Sequence, residues 1–307
     1  MLVVLAMLVG AIVPVQTAIN TRLRQSVGAP IAATFYSFIV AVVVATVISL
    51  AATHVLVPDL SVPASQPWWI WLGGFMGVMF IAGNIVLFPQ LGPVQTVILP
   101  ILGQVIMGLV VDKFGLFHYD PRPVGLLRLV GAVVVIAGIA MVLEVGRRPV
   151  PMGTATGAQL WLLRAFGVLM GMGSATQTAV NGHLGVALGS PLQAGQISLV
   201  VGLIVLAVLV FVLPQDRRAI ASGVAPGPWW MWLGGALGAL FVFGGATLSP
   251  ILGTGTTVIG SLTGTIVCGQ VLESLAIGTK GRRSLPTPFR LTGLALVIAG
   301  VAMVRLL

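Results

Sequence analysis

The sequence predicts an all-α polytopic membrane protein of ten transmembrane helices, built as two inverted five-helix repeats. Three observations carry this. The first is composition: of 307 residues, 58% are hydrophobic and 7% charged, and the mean hydropathy is +1.12. A soluble domain carries about 25% charged residues, so this chain cannot coat a globular surface with polar groups and belongs in a bilayer. The second is duplication. Gly10 to Pro30 (GAIVPVQTAINTRLRQSVGAP) recurs without a gap, 161 residues on, as Gly171 to Pro191, identical at eight of 21 positions. Apolar residues recur wherever a membrane demands them, but a recurring Q-T-A-x-N does not follow from that demand and marks a repeated unit. The third is the placement of charge along the chain, taken up after the elements.

Ten apolar runs approach the ~20 residues that a helical span needs. The first, Leu2 to Asn20, has no basic segment before it. Its amide motif returns deep in the chain, so it reads as a mature helix and not as a cleaved signal. A turn with Arg22 and Arg24 leads to Gly28-Ala29-Pro30, where proline suits a first helical turn. The second run is Ile31 to Thr53, followed by a polar loop from His54 to Gln66. The third opens on Pro67-Trp68-Trp69-Ile70-Trp71, repeated as Pro228-Trp229-Trp230-Met231-Trp232; eight of eleven positions match between residues 67–77 and 228–238. The tryptophans read as interfacial anchors. Gly73-Gly74-x-x-Gly77 and Gly234-Gly235-x-x-Gly238 read as close-packing faces, since no strand precedes them as a dinucleotide site requires.

The fourth run, Val94 to Val111, is broken by Pro100 and carries Gln95, Thr96 and Gln104; its counterpart, Thr254 to Leu272, carries Thr256, Thr257 and Thr265. Asp112 and Glu273 close the two runs at equivalent positions. The fifth run is Val124 to Leu143, and Arg128 to Leu143 matches Arg290 to Arg305 at ten of sixteen positions. The repeats are thus expected at residues 1–148 and 161–307, with a cytoplasmic linker over 149–160.

Five spans is an odd number, so the second repeat enters the membrane from the opposite side. The charges agree. Loops after odd-numbered spans hold eleven of the fifteen basic residues, among them Arg22, Arg24, Arg147, Arg148, Arg217 and Arg218. The other side holds Lys113, Arg122, Arg128 and Arg305. The basic side is expected in the cytoplasm, which puts both termini outside. The net charge of +9 is explained by this orientation and does not call for nucleic acid.

Signatures of catalysis and of metal binding are weak. His54, His118 and His183 read as loop residues without ligand spacing. Cys268 is the only cysteine, so no cysteine-rich metal site exists and no cofactor is expected. The six carboxylates all read as loop or span-end residues; Asp112 and Glu273 are the nearest candidates for a proton-binding acid, against the favoured reading as solvated helix-end charges. What remains is a set of uncharged polar side chains. Gln16 and Asn20 share a helix face, as do Gln177 and Asn181. Asn84, Gln95, Gln104 and Thr256 sit on spans positioned to face them. Polar groups in hydrocarbon find partners or line water. Two readings therefore stand side by side: these residues line a solute site at the repeat interface, or they hold helices together.

The first span, G-x5-QTA-x-N-x2-L-x4-G-x-P with Tyr36-Ser37-Phe38 after it, resembles the YdcZ family of the drug/metabolite transporter superfamily, relatives of the small multidrug resistance proteins. The resemblance covers the chain as two fused units and implies a multi-pass transporter of a prokaryotic cell membrane. Small multidrug resistance proteins carry a proton-exchanging glutamate in their first helix, where this chain has Gln16 and no acid. The halves also differ: Pro14 becomes Ala175, and Tyr36 and Phe38 become Ile197 and Leu199. The sequence is read as a secondary transporter of a small organic solute working by alternating access, with the bilayer and the solute as its partners. The rivals are a passive channel or a lipid-translocating protein on the same scaffold. An enzyme would need an acid, histidine or nucleophile cluster within the membrane, which the sequence lacks.

Overall fold

The computed structural model describes residues 2–118, 125–144, 154–252, 254–275, 277 and 287–306, leaving aside the side chains of 245–246, 249–258 and 305–306. Ten long helices are present among the described residues. The first repeat supplies α1 (Leu2–Val27), α2 (Pro30–Thr53), α3 (Leu72–Leu91), α4 (Pro93–Phe114) and α5 (Leu126–Val142). The second supplies α6 (Gly157–Leu188), α7 (Pro191–Val212), α8 (Leu233–Leu252), α9 (Thr254–Ser274) and α10 (Pro288–Leu306). No strand occurs among the described residues. Five of these stretches are long and apolar enough to cross a membrane: Leu2–Val27, Pro30–Thr53, Trp68–Leu91, Pro93–Phe114 and Pro191–Val212. Leu126–Val142, Trp229–Gly244 and Pro288–Val304 are shorter apolar helices. Helix α6 is longer than its apolar run because it starts at Gly157, so the end of the expected 149–160 linker is already helical.

The helices alternate in direction. At one end the connections after α1, α3, α5, α7 and α9 meet. Ala225 N–H donates to Ser26 O (2.9 Å), Ala155 N–H to Gln90 O (3.2 Å), and Thr287 Oγ1 to Glu144 (3.5 Å). At the other end Gln196 Nε2 donates to Leu56 O (3.0 Å), and His183 Nε2 lies 3.0 Å from Gln66 Oε1. Side chains such as Val43, Val47, Ile204, Val208 and Val133 project outward from α2, α7 and α5, forming the apolar coat that lipid requires.

The repeats interlock rather than sit side by side. Helix α1 packs on α8 and α9, and α6 packs equivalently on α3 and α4; α2 meets α7, and α5 meets α10. Glycine makes these crossings possible, since without hydrophobic drive in lipid association rests on close packing. A Cβ at Gly10 would strike the backbone of Ser261, and one at the equivalent Gly171 the backbone of Pro100. Gly264 meets Met7, and Gly103 meets Val168. Each contact and its image are related by the 161-residue offset. The α5–α10 pair is self-complementary: Gly131 lies against Gly300 and Gly138 against Gly293, with Val135 and Val297 fully buried between them.

Two expectations need correction. His183 is not a loop residue but lies within α6. Glu273 is not solvated: it is 1% exposed, pairs with Arg290 at 2.8 Å and accepts from Val94 N–H at the start of α4 (3.4 Å). Asp112 pairs with Arg128 at 2.9 Å, with its side chain about a third exposed. The sequence shows where a helix ends, but not that α4 begins beside the end of α9 and buries its acid. The tryptophans split as well. Trp68 and Trp229 are mostly exposed, as anchors should be, whereas Trp69 stacks edge-on against Phe117 and Trp232 against Tyr36.

Candidate functional site: a crevice between α1 and α3

Prolines inside these helices decide where polar side chains are spent. Proline has no N–H, so the carbonyl four residues before it loses its helical donor. Pro14 in α1 frees Gly10 O, and Thr265 Oγ1 from α9 donates to it at 2.8 Å. Ala175 stands at the equivalent place in α6, and there Gln104, the counterpart of Thr265, donates instead to Ser174 Oγ (3.3 Å). Pro89 in α3 frees Ile85 O, and Arg24 Nη1 donates to it at 3.1 Å. Arg24 is thereby drawn from the end of α1 onto the flank of α3.

Between these two helices runs a crevice. Its inner part is lined by Gln16, Thr17 and Asn20 of α1 and by Phe80, Ile81 and Asn84 of α3. Its free volume, ≈ 10 Å³, is about the room one water needs. Its outer part is lined by Thr21, Arg24, Gln25, Gly28 and Pro89 and opens as a cavity of ≈ 450 Å³. Positions 16, 20 and 24, with 17, 21, 25 and 28 beside them, form one helical stripe, so the small void and the open cavity follow one another along the same face of α1.

The polar groups within it differ in how they are satisfied. Thr17 donates to Val13 O (2.9 Å) and Thr21 to Thr17 O (2.8 Å), both inside α1. Asn20 is 1% exposed, and neither its amide nitrogen nor its oxygen has a protein partner. A buried polar group left unpaired costs about 1–3 kcal/mol, a cost that a polar solute or a water would relieve. Gln16 and Asn84 are also buried.

The structure brings together three of the eight residues singled out from sequence: Gln16, Asn20 and Asn84. The others are placed differently. Gln95 Oε1 accepts from Arg164 Nε at 3.1 Å, and Gln104 is held by Ser174; both tie α4 to α6. Asn181 Nδ2 donates to Ser198 Oγ of α7 at 3.2 Å and lies against Gly73, and Gln177 lies against Gly77 of α3. By the same symmetry Asn20 lies against Gly234 and Gln16 against Gly238. The side chain of Thr256 lies outside the described residues. Sequence reasoning missed Arg24 and Pro89, having read Arg24 only as an orienting charge. The signal was there: Arg24 continues the Gln16–Asn20 stripe by one more turn.

At the opposite end, α6 finishes in a cluster of rings. His183 and His118 pack with ring centroids 5.0 Å apart. Trp69 lies 5.3 Å from each of them. This cluster joins the end of α4, the end of α6 and the start of α3.

The pattern of the family described as "Putative inner membrane exporter, YdcZ" matches residues 1–141 and again 162–303. No curated protein matches the chain significantly. A solved crystal structure superposes over 98% of this chain and 96% of its own length, with a TM-score of 0.51 and 16% sequence identity; that likeness is one of fold.

Proposed function

The chain belongs to the YdcZ family of inner membrane exporters and is a multi-pass membrane transporter, and on that premise we propose that it is a secondary carrier of a small organic solute. In this reading all ten long helices cross the bilayer. The arginine-rich end faces the cytoplasm, both termini lie outside, and the solute binds along the α1–α3 crevice. Transport proceeds by alternating access, one repeat rocking against the other. The observation that carries the proposal is the crevice itself. An open cavity beside Arg24 lies one helical turn from a buried amide, Asn20, that the protein leaves unpaired. The ring cluster at the far end of α6 supports a state open on one side only.

The interlocked repeats suit such motion. Helices α1 and α6 each cross two helices of the other repeat on glycine faces, so a tilt of one repeat carries both amide faces with it. Counterflow tests the reading. Solutes that raise the melting temperature of the purified protein are loaded into proteoliposomes, and uptake of the labelled solute is followed. A carrier gives saturable uptake that is accelerated by unlabelled solute inside. Flux that rises linearly and shows no counterflow would support a channel instead. Reporters active only in the cytoplasm, fused at either terminus, test the orientation; activity at either end contradicts it.

A further inference from the structure

The mouth of the crevice carries a positive charge, Arg24, that no acid pairs with among the described residues. Arg24 makes one hydrogen bond, to the carbonyl freed by Pro89. Among the described residues the ion pairs are Arg128–Asp112 and Arg290–Glu273, and Arg24 is in neither. Asp216, the buried acid at the same end, makes no ion pair with Arg24: its Oδ1 accepts from Ala32 N–H at 2.9 Å, at the start of α2, and its Oδ2 has no hydrogen-bond partner among the described residues. Arg22, on the neighbouring face of α1, is held by Ser26 Oγ at 3.0 Å. No acidic side chain lines either section of the crevice.

A guanidinium has five N–H donors in a planar fork matched to carboxylate and phosphate oxygens. A bond to one neutral carbonyl uses one of those donors and none of the charge. One turn further in, the Asn20 amide has both donor and acceptor free. The crevice therefore offers a cation at the mouth and an uncharged polar pair inside, in that order along α1. The second repeat has Gly185 where the first has Arg24, although Pro250 repeats Pro89. The charge is thus a property of one mouth.

Resting on the carrier reading, we infer that the solute is an organic anion, a carboxylate or phosphate ester, engaged first by Arg24 and then passed to Asn20 and Gln16. When the anion arrives, the Arg24 guanidinium leaves the Ile85 carbonyl and forms a forked pair with the two anionic oxygens. A cationic solute would meet uncompensated repulsion at the same place.

Ring compounds differing only in charge test this: benzoate, benzamide and benzylamine, with succinate and inorganic phosphate as further anions. Each is titrated against the melting temperature of the purified full-length protein. At least one anion should stabilise it, and benzamide and benzylamine should not match that anion. Arg24→Gln should weaken the anion's apparent Kd at least tenfold, and Arg24→Lys should recover part of the loss. Should Arg24→Gln fail to fold, Asn20→Asp serves instead. It places a carboxylate one turn from Arg24 on the same face, and should abolish anion binding without lowering the melting temperature. The inference is overturned if none of the anions stabilises the protein, if the amide or amine binds as well as benzoate, or if Arg24→Gln or Asn20→Asp leaves anion affinity unchanged. Counterflow of a neutral or cationic solute would overturn the anion assignment while leaving the carrier reading intact. Absence of counterflow for every stabilising solute would remove the carrier reading itself.

Discussion

Helices α1 and α6 carry the same Q-T-A-x-N face and lie against the same glycines of the opposite repeat, yet they finish differently. Helix α1 runs out through Asn20 and Arg24 beside an open crevice. Helix α6 runs out through Asn181, His183 and Gly185, and His183 meets the rings of His118 and Trp69 at steep angles. In α1 the asparagine amide has no partner, whereas in α6 its nitrogen is held by Ser198. The contacts that build the fold obey the two-fold relation closely, while the polar groups at the helix ends do not. Packing is thus duplicated while hydrogen bonding is not: Asn20 leaves both amide atoms unpaired, and Asn181 leaves only its Oδ1 so.

The comparison breaks most severely at the crossings. Gly103→Leu and Gly264→Leu each drive a side chain into the backbone of the facing helix. Overpacking costs 1–3 kcal/mol where the site can give and more where backbone is struck, so both variants are expected to lose the folded state. Gel filtration and melting curves should show the same loss in each. Folding of one but not the other would contradict equivalent packing.

The helix-end acids give the next largest effect. Glu273→Gln breaks a buried ion pair and weakens the cap on α4, with an expected loss of about 3 kcal/mol, since a buried pair broken at one partner is strongly destabilising. Asp112→Asn breaks its symmetry mate in a more exposed place and should cost about 1 kcal/mol or less. Thermal unfolding of the two variants measures the gap. Equal losses would show that burial does not separate them.

A smaller effect separates the asparagines. Asn181→Ala removes a hydrogen bond and should cost about 1 kcal/mol. Asn20→Ala removes an amide with no protein partner, and its melting temperature should stay within about a degree of wild type or rise.

Much of this was legible in the sequence. Helix order and glycine faces follow from the 161-residue offset, because close packing in lipid needs small residues at fixed places. The crevice was half legible: Gln16 and Asn20 declared a shared face, and Asn84 joins them. Gln95, Gln104 and Asn181 look the same on paper, but each meets a side chain from another helix. Such meetings depend on tertiary contacts that spacing along one helix cannot give. Arg24 was hidden for a different reason. A basic residue after a span is expected of any membrane protein, and its link to α3 arises from a carbonyl freed by Pro89, 65 residues away in the chain.

The central claim is that the amides of the α1–α3 crevice bind solute while those between α4 and α6 hold helices together. Ligand affinity and melting temperature, measured together on purified Gln16→Ala, Asn20→Ala and Gln104→Ala, test it most directly. The account predicts that the first two variants lose at least tenfold in affinity with melting temperatures near wild type, and that Gln104→Ala melts lower by about 1 kcal/mol of stability with normal affinity. Normal affinity in both Gln16→Ala and Asn20→Ala would contradict it.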